Sequence, residues 1–264
     1  MSATEMNATE QRPRIAEGER IESNAVRLFR DGRWEDGDTE KLFGGRKVIV
    51  FGLPGAFTPT CSSEHLPRYN EFAPALRAHG VEEIVCVAVN DAFVMEAWAR
   101  DQEADEITLL ADGNGEFTES IGMLVDKRDK GLGMRSWRYS MLVNDGKVEK
   151  LFAEADEPGD PYRVSDARTM LRYLDPDAKA PDQVAIFTRE GCPYCAKAKE
   201  MLEQAGFTYV EFPLEDSVRN TVVRALSGRE TVPQIFLNGE LIGGADDLEE
   251  RLYGASGPPE TRPT

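Results

Sequence analysis

Hydrophobic and polar positions along this chain switch between two periods, and the switches mark its elements. Residues 47–55, KVIVFGLPG, are a short apolar run closed by Pro and Gly, which predicts a buried strand. From Ser62 to His79 the residues Leu66, Tyr69, Phe72 and Leu76 fall at helical spacing. EEIVCVAVND (82–91) is a second buried strand, and Asp91 is placed to cap the helix of DAFVMEAWARDQ. ITLLADGNG (107–115) reads as a strand then a turn. SWRYSMLVNDGKVEKLFA (136–153) holds two β-rich runs around Asn144-Asp145-Gly146, a hairpin, and SDARTMLRYL (165–174) is a short helix.

DPDAKAPDQ, starting at Asp175, then breaks the pattern and predicts a linker over residues 175–182. A compact second pattern follows. QVAIFT is a strand, and CPYCAKAKEMLEQAG is a helix with Pro193 in its first turn and Gly206 just past its end. TYVEFPL is a strand, and SVRNTVVRALSG a helix stopped by Gly228. PQIFLNGELIGG is a hairpin turning at Asn238-Gly239, and ADDLEERLYG closes the unit as a helix. The expected division is a loose tail over 1–15, a first domain over 16–174, the linker, a second domain over 183–254 and a loose tail over 255–264. Alternating strands and helices make both domains α/β, each a mixed sheet flanked by helices.

Composition narrows the function. With 41% hydrophobic and 30% charged residues the 264-residue chain has the balance of a soluble globular protein. A net charge of -17 repels phosphates, so neither nucleic acid nor an anionic membrane is an expected partner. No apolar run approaches the roughly 20 residues that span a bilayer, and MSATEMNATEQRPRIAEGER lacks an apolar signal core. The expected location is the cytoplasm. In that reducing compartment Cys61, Cys86, Cys192 and Cys195 are catalytic, metal-binding or buried rather than a disulfide framework. A structural zinc site needs four ligands, and beyond one C-x-x-C pair there are only His65 and His79, distant in sequence, so no metal is expected.

Cys192-Pro-Tyr-Cys195 is a thiol redox motif beside a βαβ pattern. A cysteine just ahead of a helix meets its unpaired N–H groups and positive dipole end, which favour the thiolate. Cys192 has that position, with Arg189 upstream and Lys197 downstream, while Cys195 lies inside the first turn. GCPYC, TVPQIFLNGELIGGADDLEE and the element order resemble a glutaredoxin over essentially all of residues 183–254. The resemblance implies that Cys192 attacks a disulfide or a glutathione mixed disulfide, resolved by glutathione or by Cys195. It also implies a cis peptide before Pro233. Arg189, Tyr194, Thr231, Val232 and Pro233, with the turn Gly243-Gly244-Ala245-Asp246-Asp247, match the glutathione-binding positions of that family.

GLPGAFTPTCSSEHLP (52–67) delivers Cys61 through a Pro- and Thr-rich turn to the start of a helix, where N–H groups favour a thiolate and a nearby hydroxyl can hold a polar substrate. Cys86, inside the apolar IVCVAV, is by contrast structural. The P-x-x-x-T-x-x-C spacing, with SSEHLPRYNEF, VAVNDAFVMEAWAR, LLADGNGEF and WRYSMLVNDGKV, resembles the atypical type-five peroxiredoxins over roughly residues 16–174. That resemblance implies that Cys61 is the peroxidatic thiol. Thr58 would bond the peroxide and the thiolate, Pro54 would shield the pocket, and Arg138 would hold the thiolate, with Arg135 the neighbouring alternative. His65 is expected to be a structural hydrogen-bonding residue. Many members carry a resolving cysteine late in the domain; FAEADEPGDPYRVSDARTMLRYL (152–174) has none, so an external thiol is needed.

The two resemblances together imply two thioredoxin-fold domains in one glutathione-dependent peroxidase, a peroxiredoxin fused to its own glutaredoxin. Its expected small-molecule partners are hydrogen peroxide or an alkyl hydroperoxide and glutathione, the latter a reducing co-substrate; no cofactor is held permanently. Similar fusions are homo-oligomers, commonly tetramers.

Overall fold

The structure is a computed structural model and describes residues 12–215 and 217–254. They form two compact units, dividing between Ala180 and Pro181.

The first unit is built on β3 (Lys47–Gly52), β4 (Glu83–Ala88) and β5 (Thr108–Ala111), paired in parallel. Their near-continuous apolar sequences suit strands covered on both faces. Two antiparallel hairpins extend this centre. β1 (Ala25–Arg30) and β2 (Arg33–Asp38) join beyond β5, and β8 (Tyr139–Asn144) and β9 (Lys147–Ala153) join beyond β3. The sheet order is β2-β1-β5-β4-β3-β8-β9. Both hairpins turn on an Asp-Gly pair with positive φ at each residue, 50° and 71° at Asp31-Gly32 and 48° and 74° at Asp145-Gly146. This backbone matches the strand twist, and glycine adopts it without strain.

Alternation sorts the strands into two cores. Ile49, Phe51, Ile84, Cys86 and Leu109 pack on one face with α2 (Leu66–Ala78), α3 (Ala92–Asp101) and α5 (Ala167–Leu174). Val48, Val50, Val85, Val87 and Leu110 pack on the other with α1 (Thr39–Phe43) and α4 (Glu116–Ser120). Asp91 caps α3 by accepting from Phe93 N and Val94 N. A small antiparallel pair, β6 (Leu124–Asp126) and β7 (Met134–Ser136), stands apart.

The expected first tail differs at its inner end. Arg12 pairs with Glu22, and buried Ile15 donates its N–H to Ile121 O at 3.0 Å, so residues 12–15 are docked; 1–11 lie outside the described residues. The expected linker is also anchored: Ala178 and Ala180 pack on the first core, and Asp182 accepts from Asn238 Nδ2. The expected tail over 255–264 lies outside the described residues.

The second unit is a four-stranded sheet in the order β11-β10-β12-β13. β10 (Val184–Thr188) and β11 (Tyr209–Pro213) are parallel, while β12 (Gln234–Leu237) and β13 (Glu240–Gly243) form the hairpin turning at Asn238-Gly239. α6 (Pro193–Gln204) and α8 (Ala245–Tyr253) share a core with Val184, Ile186 and Ile235, and α7 (Ser217–Ser227) completes the unit.

Candidate functional site

Leu53 to Thr58 leaves the end of β3 as an irregular segment, and Ser62 N returns to Thr58 O at 3.0 Å as the helix begins. Cys61–His65 is then a wide, π-type turn in which Leu66 N reaches Cys61 O. Pro67 has no N–H to give Ser63, so the ordinary helical pattern is broken there in any case. The turn places Cys61 and His65 on the buried side, each fully enclosed.

One guanidinium organises this pocket. Arg138, at the residue before β8 and 1% exposed, donates from Nη2 to Cys61 Sγ at 3.5 Å. Its Nη1 meets His65 Nδ1 at 3.1 Å, and Nε donates to Asp160 Oδ1 at 3.1 Å. Nη2 also bonds Asp160 Oδ2. Burial works against the guanidinium's charge, yet Cys61 and Asp160 outweigh it and hold Arg138 above its ordinary value. Arginine is the residue that can make such a fork of contacts at once.

His65 is neutral. Burial first, then the charge of Arg138, push its pKa well below the ordinary value, against the Ser165 carbonyl. Arg138 donates to Nδ1, so the ring proton is assigned to Nε2, which donates to Ser165 O at 3.1 Å. Tyr69 Oη donates to the same carbonyl, also at 3.1 Å. The Ser165 turn is itself held by buried Glu154, whose Oε1 accepts from Arg163 N, Val164 N, Ser165 N and Ser165 Oγ at 2.7–2.9 Å. Glu154 N also donates to Arg138 O at 3.0 Å, so one residue braces both ends of the pocket.

The other expected residues of this domain lie close by in different roles. Pro54 is buried, and Asn90 Oδ1 accepts from Ala56 N at 3.0 Å. The Thr58 hydroxyl donates to Gly55 O at 2.8 Å rather than to Cys61, leaving its oxygen as an acceptor. Arg135 bonds the carbonyls of Val89 and Leu132, and Arg138 takes the contact with Cys61. Cys86 is fully buried, which pushes its thiol well above the ordinary value. Asp160, Glu154 and Ser165 were not legible in the sequence; they come from EADEPGDPYRVS, whose turn composition does not say which side chain points inward.

In the second unit Cys192 is the N-cap of α6, half-buried, with Sγ accepting from Cys195 N at 3.2 Å. Cys195 is buried; burial, then the bond to Cys192, push its thiol up to about 12. The Val232–Pro233 peptide is cis, and Val232 O lies 3.8 Å from Cys192 Sγ. Thr231 is tied through its carbonyl to Gln234 Nε2 at 2.9 Å. A Cβ on Gly244 would touch Pro233 O at 3.8 Å, so the Gly243–Asp247 turn sits beside the cis bond. Asp247 is engaged there by Gly244 N at 2.7 Å and by Arg229, which hold its carboxyl below the ordinary value. Ala245 is buried, while Asp246 and Tyr194 are exposed. Arg189 donates to Asn220 Oδ1 at 2.6 Å and lines an open groove with Cys192, Lys199 and Glu211; of the expected glutathione positions it alone does so.

Comparison with known proteins places both halves. The redoxin family model matches residues 29–171 and the glutaredoxin model residues 184–242. The chain is 54% identical over 234 residues to the hybrid peroxiredoxin hyPrx5 of Haemophilus influenzae, covering 89% of this chain and 97% of that protein. It is 59% identical over 153 residues to a peroxiredoxin of Synechocystis, covering 56% of this chain and 80% of that one. Among solved structures it resembles reduced Prx3 of Vibrio vulnificus in complex with hydrogen peroxide, with a TM-score of 0.57 at 42% identity, covering 61% of this chain and 99% of that chain. It also resembles the antioxidant protein of Plasmodium falciparum, a 1-Cys peroxiredoxin, with a TM-score of 0.58 at 32% identity, covering 62% of this chain and 100% of that one. With the thioredoxin fold in its first domain and a glutaredoxin domain after it, the chain belongs to the peroxiredoxins as one of the hybrid kind.

Proposed function

We propose that this peroxiredoxin reduces hydrogen peroxide and alkyl hydroperoxides at Cys61 and is regenerated by glutathione through Cys192. The observation that carries this reading is the presence, in one chain, of a buried arginine-bound Cys61 and a half-exposed helix-capping Cys192. The Cys61 thiolate attacks one peroxide oxygen, the O–O bond breaks, and the other oxygen leaves as water or an alcohol after taking a proton. Arg138 balances the charge that develops on the separating oxygens, and Thr58, its own proton donated to Gly55, accepts from the peroxide O–H. Pro54 shields the pocket. Cys61 becomes a sulfenic acid, which condenses with glutathione to a mixed disulfide and releases water. The Cys192 thiolate attacks the glutathione sulfur of that mixed disulfide and frees Cys61; a second glutathione thiolate then attacks the glutathione sulfur now bonded to Cys192, expels the Cys192 thiolate and forms glutathione disulfide. Two thiols and one peroxide give one disulfide, one water and one alcohol or second water.

In the second unit Arg189, Tyr194, Thr231, Val232, Pro233 and the Gly244–Asp247 turn are the residues we assign to glutathione. Cys195, held as a thiol, serves only a secondary dithiol route. We place the protein in the cytoplasm as a homo-oligomer, a tetramer by analogy with similar fusions, and exposed Phe57 and Phe93 supply apolar surface for assembly. We take 16–174 and 183–254 as the two domains.

Peroxide-dependent NADPH consumption coupled through glutathione reductase tests the cycle. Cys61→Ser should abolish peroxide turnover while sparing glutaredoxin activity. Cys192→Ser should stop both the glutaredoxin assay and glutathione-supported peroxide turnover. Full peroxide turnover in the Cys192 variant would remove the fused domain from the reducing path.

A further inference from the structure

The guanidinium that bonds Cys61 is not free to serve it alone. Arg138 Nη2 donates to Cys61 Sγ at 3.5 Å and also bonds Asp160 Oδ2, while Nε is committed to Asp160 Oδ1. Three of the five guanidinium N–H groups are therefore divided between a thiol and a carboxylate, and a fourth goes to neutral His65. Asp160 sits between Gly159 and Pro161 in the 154–166 connection, and its side chain is 31% exposed, unlike the enclosed Cys61 and His65.

We propose that Asp160 is a positioning residue that shares Arg138 with Cys61, so that its carboxylate anchors the guanidinium while restraining how strongly that charge draws Cys61 into its thiolate form. This rests on the reading of Cys61 as the reactive thiol. Because both acceptors take hydrogen bonds from one nitrogen, the carboxylate oxygen and the sulfur are no more than about 6 Å apart, where two negative charges repel appreciably even with partial solvent screening. Other charged or titratable groups face the same pocket. His65 meets Arg138 from the helix side, Cys86 acts on it from β4, and Tyr162 lies against the guanidinium from the connection, itself acted on by the charges of Asp166, Glu64 and Arg68. Among the described residues Asp160 is the carboxylate bonded to Arg138, which makes it the anion that Cys61 must compete with.

An asparagine keeps the shape and an oxygen for Nε but removes the charge, and so separates anchoring from restraint. The full chain, reduced, is pulsed with iodoacetamide from about pH 4 to about pH 9, and the Cys61 peptide is quantified by mass spectrometry. Asp160→Asn should move the midpoint of Cys61 labelling down by about one pH unit, which is roughly tenfold more label below the original midpoint. Asp160→Glu, which keeps the charge, should stay within about 0.3 unit of the original. An Asp160→Asn profile that superimposes on the original or moves upward overturns the proposal, as does a Cys61 that takes no label at any pH. Because the readout uses no peroxide, absent peroxide turnover in the unaltered chain would refute the functional reading and leave this one standing.

Discussion

Glu154 offers the sharpest test of how the pocket is held. Replacing it with alanine removes one acceptor from four donors: the N–H groups of Arg163, Val164 and Ser165 and the Ser165 hydroxyl. Arg163 and Val164 are exposed, so their N–H groups can turn to water. Ser165 is fully buried, and its two donors would be stranded. A buried unsatisfied donor costs about 1–3 kcal/mol, so Glu154→Ala should cost roughly 3 kcal/mol. Glu154→Gln keeps an acceptor but not the charge and should cost about 1 kcal/mol.

The pH dependence adds an independent check. Burial raises the Glu154 pKa, but the donors from Arg163, Ser165 and Val164 outweigh it and hold the carboxyl below its ordinary value. The folded state therefore binds this proton less readily than the unfolded chain. The stabilisation is complete above about pH 4.5 and is lost as pH falls through the folded value. Urea unfolding followed by tryptophan fluorescence is a suitable assay, because Trp34, Trp98 and Trp137 all lie in the first unit. A loss below about 1 kcal/mol in Glu154→Ala would refute the reasoning, since it would mean that Ser165 finds other partners. An acid-limb difference between the unaltered chain and Glu154→Gln that fails to shrink as pH drops would refute the electrostatic part.

Three more outcomes follow from the geometry. A Cβ at Gly52 would meet two ring atoms of Tyr139 at 2.2 and 2.7 Å and Ser136 Oγ at 2.8 Å, so Gly52→Ala should cost about 2 kcal/mol or more in the same unfolding assay; a neutral result would show that the Tyr139 ring can move aside. Because burial and Arg138 hold His65 well below its ordinary pKa, the unfolded chain takes up a proton below about pH 6.5 that the folded one refuses, and stability should fall by up to ~1.4 kcal/mol per pH unit; His65→Gln should lose that part of the slope, and identical slopes would contradict it. With Cys195 pushed up to about 12, alkylation near about pH 9 should label Cys192 and spare Cys195, and equal labelling would show that its burial does not control it.

Much of this architecture was legible in periodicity. The buried strands β3 and β4, the caps at Asp91 and Cys192 and the turns at Asp145-Gly146 and Asn238-Gly239 all stand where local sequence puts them. The β1–β2 hairpin was missed although Asp31-Gly32 carries the same two-residue signal, because charged residues crowd the polar edge strand RWEDGD and hide its alternation. Cys61, Thr58 and Pro54 are local in sequence, so one short motif names all three. The partners that orient Arg138 were not: Asp160, Ser165 and Glu154 arrive from a connection with no regular structure, and only tertiary packing selects which of its polar side chains turn inward. For His65, four residues after Cys61, the sequence predicts a structural hydrogen-bonding role. Its ring does bridge the Ser165 carbonyl, and its other nitrogen touches the guanidinium, a contact that helical spacing alone could not reveal.

The complete enclosure of Cys61 also has a kinetic meaning. No reagent meets a sulfur that is 0% exposed unless part of its enclosure moves, and a bulkier reagent needs the larger movement. On the function proposed above, a tripeptide thiol is bulkier than hydrogen peroxide, so reduction of this sulfur would depend more on local opening than its oxidation does.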